Sequence, residues 1–295
     1  MKLVYLGSPT AAVAPLEALV GAGHEVLLVV TQPDKRRGRG GGLTAAPVKA
    51  AATRMGLPVS DDPNAVADAV IHGAELGVVV AYGRLIKPHL LDQLRFVNLH
   101  FSLLPRWRGA APVERAVLAG DSHTGVCLME LEEGLDTGGV FRREVTAIDP
   151  EEPVRVLRER LVGIGIPMLL DSLHHGLGKA EAQTGVLTYA AKVDPAEYVI
   201  DWLRPAVELA RLTRLEQAWT TFRGRRLKVL HGSVVTPEAA IASGTLPAGT
   251  IEAGRVATGD GWLELVRVQP EGKGPMEAKA WANGAKPTPG ERLGA

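Results

Sequence analysis

The sequence predicts an α/β protein: a mostly parallel sheet with helices on both faces, followed by a small OB-like β-barrel. Two patterns and one number carry that prediction. In the first half, short continuous apolar runs alternate with stretches of helical spacing, the order that a parallel sheet with crossover helices requires. In the last third the runs turn short and β-type, with Gly and Pro turns between them, as in small barrels. The chain has 295 residues, above the usual size of one domain, so two domains are expected.

In chain order, Lys2 to Leu6 reads as a buried strand, and Ala11 to Ala22 has helical spacing that stops at Gly23. A strand at Val26 to Thr31 follows, and Val59 opens a further short segment. Val66 to Ala74 is helical, Gly77 to Ala81 is a continuous apolar strand bounded by Gly83, and Leu90 to Leu94 is a short helical piece. Phe96 to His100 is a strand, Pro112 to Ala119 a helix and Gly125 to Leu131 strand-like. Arg155 to His175 keeps a long helical pattern suited to packing on this sheet. Together these make a Rossmann-like catalytic domain of residues 1–188 and a linker of residues 189–203. Pro205 to Glu216 reads as a helix carrying basic residues. Leu227 to Val235, Gly249 to Ala253, Arg255 to Thr258 and Leu263 to Gln269 are the barrel strands of a domain at 204–295.

Composition narrows the function. The single cysteine, Cys127, excludes an internal disulfide and the Cys-rich zinc sites. The histidines are scattered without metal-binding spacing, and no metal is expected. The N-terminal MKLVYLGSPT is broken too early by Gly and Pro for a signal peptide. No stretch reaches the roughly 20 apolar residues of a spanning helix, so a soluble cytoplasmic protein without membrane contact is expected. Net charge is zero, yet Trp202 to His231 holds seven Lys and Arg against two Asp and Glu. Such a segment fits either a solvated helix face or a phosphate-binding surface.

Gly7-Ser8-Pro9 after the first strand lacks the later glycines of a dinucleotide fingerprint and reads as a tight turn. Val97-Asn98-Leu99-His100 is more informative. Residues two apart in a strand share a face, so Asn98 and His100 point together, near the carboxyl end where open α/β sheets place ligands. They either close a strand edge or stabilise the oxyanion formed when a carbonyl is attacked. Ser102-Leu103-Leu104-Pro105 is an apolar turn beside that pair, suited to line a flat heterocycle pocket. Asp136 sits among Gly134, Gly138 and Gly139 after another strand. It is either a turn former or a group that orients His100 and takes a proton through water.

These motifs resemble those of the 10-formyltetrahydrofolate-dependent formyltransferase family. NLHFSLLPRWRGAAP and GLDTGG carry the resemblance, joined by VVVAYGRLI, TQPDKRRGRGGGL, TYAAKVDPAEYVIDW and VATGDGWLELVRVQPEGKGPM, so that it covers almost the whole chain. The resemblance implies a catalytic set of Asn98, His100 and Asp136, and folate contact by Ser102, Leu103, Leu104 and Pro105. It implies 10-formyltetrahydrofolate as co-substrate and a monomer. Two positions depart from the family pattern. Phe101 stands where small residues are usual, and only Trp219 remains of a Pro-Trp-Pro stretch.

The acceptor is read from the basic segments. TQPDKRRGRGGGL holds Lys35, Arg36, Arg37 and Arg39 with four glycines; it is expected to be mobile until a polyanion orders it. The resemblance implies that this loop enters the acceptor stem of methionyl initiator tRNA, with Arg39 at the family's key arginine. Arg204, Arg211, Arg214, Arg223, Arg225, Arg226 and Lys228 are expected to track tRNA phosphates, which positions without reading bases. An amino sugar nucleotide or a purine precursor as acceptor remains the alternative within the same chemistry. An RNA-binding protein on a catalytically dead fold is the alternative outside it.

Overall fold

The structure, a computed structural model, describes residues 1–37, 42–235 and 246–294. It divides into two compact units. One holds Met1–Val113, His123–Ala147 and Arg158–Lys192; the other holds Glu114–Ser122, Ile148–Leu157 and Val193–Ala295.

The elements of the first two-thirds of the chain are β1 (Lys2–Gly7), α1 (Val13–Gly21), β2 (Glu25–Val30), β3 (Lys35–Arg37), β4 (Gly42–Thr44), α2 (Pro47–Arg54), β5 (Val59–Ser60), α3 (Val66–Ile71) and β6 (Leu76–Val80). They continue as α4 (Pro88–Leu91), β7 (Phe96–His100), β8 (Arg108–Gly109), α5 (Pro112–Ala119), β9 (His123–Glu130), β10 (Val140–Ala147), α6 (Val154–His175) and β11 (Tyr189–Ala190). The main sheet runs β10-β9-β7-β6-β1-β2-β5. Strands β5, β2, β1, β6 and β7 are parallel, while β9 and β10 join antiparallel. Leu3, Val4, Tyr5 and Leu6 of β1 are wholly buried, as a central strand covered on both faces must be. The chain moves from β1 to β2 and β5 on one side, then returns to β6 and β7 on the other. That reversal is a topological switch point, and the carboxyl ends of the strands there form a natural crevice.

The second unit contains α7 (Ala206–Thr213), β12 (Trp219–Phe222), β13 (Arg225–Val234), β14 (Ile251–Glu252), β15 (Arg255–Ala257), β16 (Trp262–Pro270), β17 (Met276–Glu277) and α8 (Ala278–Ala285). Its antiparallel sheet runs β12-β13-β16-β15-β14, with β17 paired to β16. The last residues link its two ends. Ile251 N–H donates to Glu291 O at 2.8 Å, Leu293 N–H to Gly249 O at 2.8 Å, and Gly294 N–H to Thr221 O at 2.9 Å. Closure of this kind removes the free edges that an open sheet would present. Trp202, Leu212, Phe222, Val229, Leu263 and Trp281 fill its core.

Arg223 holds the closing segment in place. Its Nε and Nη2 meet Glu291 Oε1 and Oε2 at 2.6 and 2.9 Å, and its Nη1 donates to Ala285 O at the end of α8 at 3.1 Å. The Arg223 bonds, helped by the Thr288 N–H, hold the Glu291 carboxyl down to about 2 from its ordinary 4.5. A depressed folded-state pKa gives stability that is complete above the unfolded value and lost as pH falls through the folded one. Glu291→Gln should therefore melt below the parent at neutral pH. The gap between their thermal midpoints should close between about pH 4.5 and about 2; a gap independent of pH would contradict this.

Candidate active site

Strand β7 ends at the crevice, and every residue from Phe96 to His100 is buried. Antiparallel pairing to β9 sets Asn98 against Met129 and His100 against Cys127. Both polar residues therefore project from one face, 9% and 5% exposed. Asp136, 8% exposed, arrives from the loop between β9 and β10. Its Oδ2 accepts from the Gly109 N–H at 2.7 Å and lies 3.7 Å from His100 Nδ1. Its Oδ1 lies 3.5 Å from Asn98 Nδ2. The other imidazole nitrogen, Nε2, is 3.0 Å from Trp107 O. An amide, an imidazole and a carboxylate from positions up to 38 apart in sequence thus meet in one place.

Local chain geometry explains how Asp136 reaches them. Its own φ is +49°, a left-handed conformation that Asp and Asn tolerate better than most residues. Two residues on, a Cβ at Gly138 would collide with the Glu130 carbonyl oxygen, so the turn can press against the end of β9 only with glycine there. On the facing side Gly109, at φ +122°, brings its N–H to the carboxylate while lying against the Ala190 carbonyl.

The segment Ser102 to Pro105 follows directly, with a cis bond between Leu104 and Pro105. The Ser102 hydroxyl is buried and donates to Arg106 O at 2.7 Å. Leu104 packs with Cys127, Met129 and Val140, and Leu103 lies against Gly125. These side chains brace the turn, and its Leu103 carbonyl accepts from the Arg106 N–H at 3.1 Å.

The basic residues do not share one environment. Lys35 is exposed on β3, which pairs antiparallel with β4, and the salt bridge from Lys49 to Asp34 at 2.9 Å lies beside it. The backbones of Arg36 and Arg37 belong to the same ladder; Arg39 lies outside the described residues. Arg204 pairs with Glu208 at 2.8 Å, and Arg211 packs its guanidinium on Gly120. Arg225 is exposed, Arg226 lies 4.3 Å above the Trp219 ring, and Lys228 reaches Gln217 at 3.3 Å. Together with Arg223 and Lys273, the first two rim a cavity of about 300 Å³ floored by Phe222 and Trp281. Arg214 corrects the expectation of phosphate tracking. It is 5% exposed, and its guanidinium donates to the carbonyls of Glu152 and Asp149 at 2.9 and 2.8 Å. A buried cation spent on backbone oxygens is a structural part.

Sequence reasoning missed the Gly109 N–H, the Trp107 carbonyl and Gln183, whose amide bonds to the Asp136 turn. Main-chain groups leave no mark in residue type, and Gln183 sits in a connecting stretch without periodicity. Among the described residues, no group of three or more His, Cys, Asp or Glu gathers as a metal site, and no helix is long and apolar enough to cross a membrane.

Comparison with known proteins gives the same picture at family level. Residues 1–172 match the family described as formyl transferase, and residues 192–286 match the formyl transferase C-terminal domain. The methionyl-tRNA formyltransferase of Jannaschia sp. (strain CCS1) is 42% identical over 311 residues, covering 99% of this chain and 100% of that protein. That of Symbiobacterium thermophilum is also 42% identical over 311 residues, covering 99% of this chain and 95% of its own. Among solved structures, an N-formyltransferase from Helicobacter canadensis with folinic acid and dTDP-3-aminofucose superposes with a TM-score of 0.63. It is 14% identical and covers 89% of this chain and 97% of its own. HypX from Aquifex aeolicus with tetrahydrofolic acid gives 0.63 at 14% identity over 96% of this chain and 47% of its own. At that distance the two structures establish the fold. The chain belongs to the methionyl-tRNA formyltransferase family of formyl transferases.

Proposed function

We propose that the protein transfers the formyl group of 10-formyltetrahydrofolate to the free amine of methionyl initiator tRNA, for the start of translation. It would do so as a cytoplasmic monomer. The observation that carries this reading is the convergence of Asn98, His100 and Asp136 in one buried spot at the carboxyl end of β7.

The methionine amine attacks the formyl carbon, and the carbonyl oxygen becomes an oxyanion in a tetrahedral intermediate. The Asn98 amide, bound only at 3.5 Å to Asp136, can turn its N–H to that oxygen, and His100 offers a second donor. A fixed donor of this kind contributes about 10²- to 10³-fold in rate. Such contacts are often long before substrate binds and shorten in the complex. Asp136 takes the proton that the attacking amine loses and passes it toward the departing folate nitrogen. Its Oδ2 is fixed by the Gly109 N–H, which leaves Oδ1 as the accepting oxygen. The Ser102–Pro105 turn holds the folate heterocycle beside this set, and no metal enters the scheme.

Residues 1–188 carry this chemistry and 204–295 bind tRNA; 189–203 connect them with ends built into the two units, Tyr189–Ala190 paired to β8 and Trp202 in the second core. Lys35, Arg36, Arg37, Arg39, Arg204, Arg211, Arg223, Arg225, Arg226 and Lys228 contact tRNA phosphates. Incubation with 10-formyltetrahydrofolate and charged initiator tRNA should yield formyl-methionine. Uncharged tRNA and amino sugar nucleotides should yield no formylated product. Formylation of the sugar nucleotide with none of the aminoacyl-tRNA would overturn the reading.

A further inference from the structure

We propose that Gln183 is a positioning residue for the transfer reaction, holding the Asp136 turn in the one conformation that aims its carboxylate at His100. This rests on the role given to Asp136 above.

Gln183 lies 47 positions after Asp136, in the stretch between α6 and β11. Its Nε2 donates to Asp136 O and to Gly138 O, both at 2.8 Å. Its Oε1 accepts from Arg108 Nε at 3.0 Å and from Arg108 Nη2 at 2.7 Å. A glutamine amide has two N–H donors and one oxygen with two lone pairs, and all four capacities are used here. The partners also fix which way the amide faces. A guanidinium only donates and a carbonyl only accepts, so oxygen must meet Arg108 and nitrogen must meet the turn.

This arrangement controls the carboxylate from both sides. Gln183 binds the main-chain carbonyl of Asp136 itself, where φ is +49°. A side-chain-bearing residue stays in that region only when its surroundings over-determine it. Through Arg108, Gln183 also holds the residue next to Gly109, whose N–H fixes Asp136 Oδ2 at 2.7 Å. Without the amide, two carbonyls of the turn lose their donor, and the Gly109 N–H bond to the carboxylate is left to hold the turn to β8 without the Gln183 bridge. The 3.7 Å separation between Asp136 and His100 is then free to grow.

The test compares Gln183→Leu, Gln183→Glu and Arg108→Met with Asp136→Asn in the formylation assay. Gln183→Leu should lower kcat about 100-fold while leaving both KM values within about twofold, as expected when a catalytic group is misplaced and substrate binding is not. Glutamate at 183 sets a carboxylate against two carbonyls, and it regains a donor only on protonation. Its activity relative to the parent should therefore rise as pH falls through the carboxylate range, whereas that of Gln183→Leu should stay flat. Arg108→Met should lose about tenfold, and the double variant should be no worse than Gln183→Leu, because coupled residues are not additive. If Gln183→Leu does not fold, Arg108→Met at an unchanged melting temperature carries the test. Flat pH ratios for both Gln183 variants, with losses of kcat that follow losses of melting temperature, would reduce Gln183 to a structural part and overturn the proposal. A normal kcat for Gln183→Leu beside an inactive Asp136→Asn would also overturn it, with the function intact. An active Asp136→Asn would instead remove the role of Asp136 on which the proposal rests.

Discussion

Asp136→Asn is expected to lower kcat by about 10³-fold, within the 10²- to 10⁴-fold span of positioned acid–base groups, with no loss of fold. The substitution is conservative in each respect except charge and basicity. Asparagine tolerates a φ of +49° as well as aspartate does, so the turn keeps its shape. The amide oxygen can still accept from the Gly109 N–H that now holds Oδ2 at 2.7 Å. What disappears is the negative charge 3.7 Å from His100 Nδ1 and the oxygen able to take a proton from the attacking amine. Alanine at this position confounds the two effects, because the left-handed conformation costs a residue without a polar side chain about 1–2 kcal/mol. Steady-state kcat with both substrates, read beside a thermal melt, decides the matter. A near-normal rate, or a rate lost together with the fold, would remove Asp136 from the proton path.

Much of this arrangement was legible in the sequence, for a physical reason that also marks where legibility ends. A strand buried on both faces must be a continuous apolar run, so β1, β6 and β7 announced themselves, and the alternation of side chains placed Asn98 beside His100. Strand β10 was missed because it is an edge strand. Its residues Arg142, Arg143 and Glu144 are exposed, which suits an edge but breaks any apolar period. Helix α8 was missed because eight residues with a glycine near the end give too short a pattern. The candidate site divides the same way. Asn98, His100 and Asp136 could be named from residue type and motif. The groups that set their geometry could not, since the Trp107 carbonyl and the Gly109 N–H are main-chain groups of a kind that nearly every residue carries. Lys35 to Thr44 shows an intermediate case: the charges and glycines were plain, but pairing of Lys35 with Thr44 across a short ladder depends on main-chain bonding that composition does not encode.

Charge was the least legible property, and Arg214→Ala should expose the difference. By composition, Arg214 and Arg225 belong to the same basic segment, yet the first is buried and the second exposed. Burial pulls the Arg214 guanidinium pKa down, while Glu152, Glu151 and Asp149 pull it back up, so the cation sits in a nest of acidic residues and carbonyls. Its bonds to Glu152 O and Asp149 O tie the 148–157 segment to the end of α7. Alanine would leave those carbonyls without their donor and a cavity where the side chain was. Hydrogen bonds from a charged donor are worth about 1.5–3 kcal/mol, and a chemical denaturation midpoint should fall accordingly. The affinity of the folded fraction for tRNA, and its slope against salt, should not change. Arg225→Ala should do the opposite, leaving the midpoint in place and lowering the salt slope by about one, as loss of a single phosphate contact does. If Arg214→Ala instead left stability intact and weakened tRNA binding, the guanidinium would have to leave its carbonyls for phosphate, and its buried geometry would describe only the free protein.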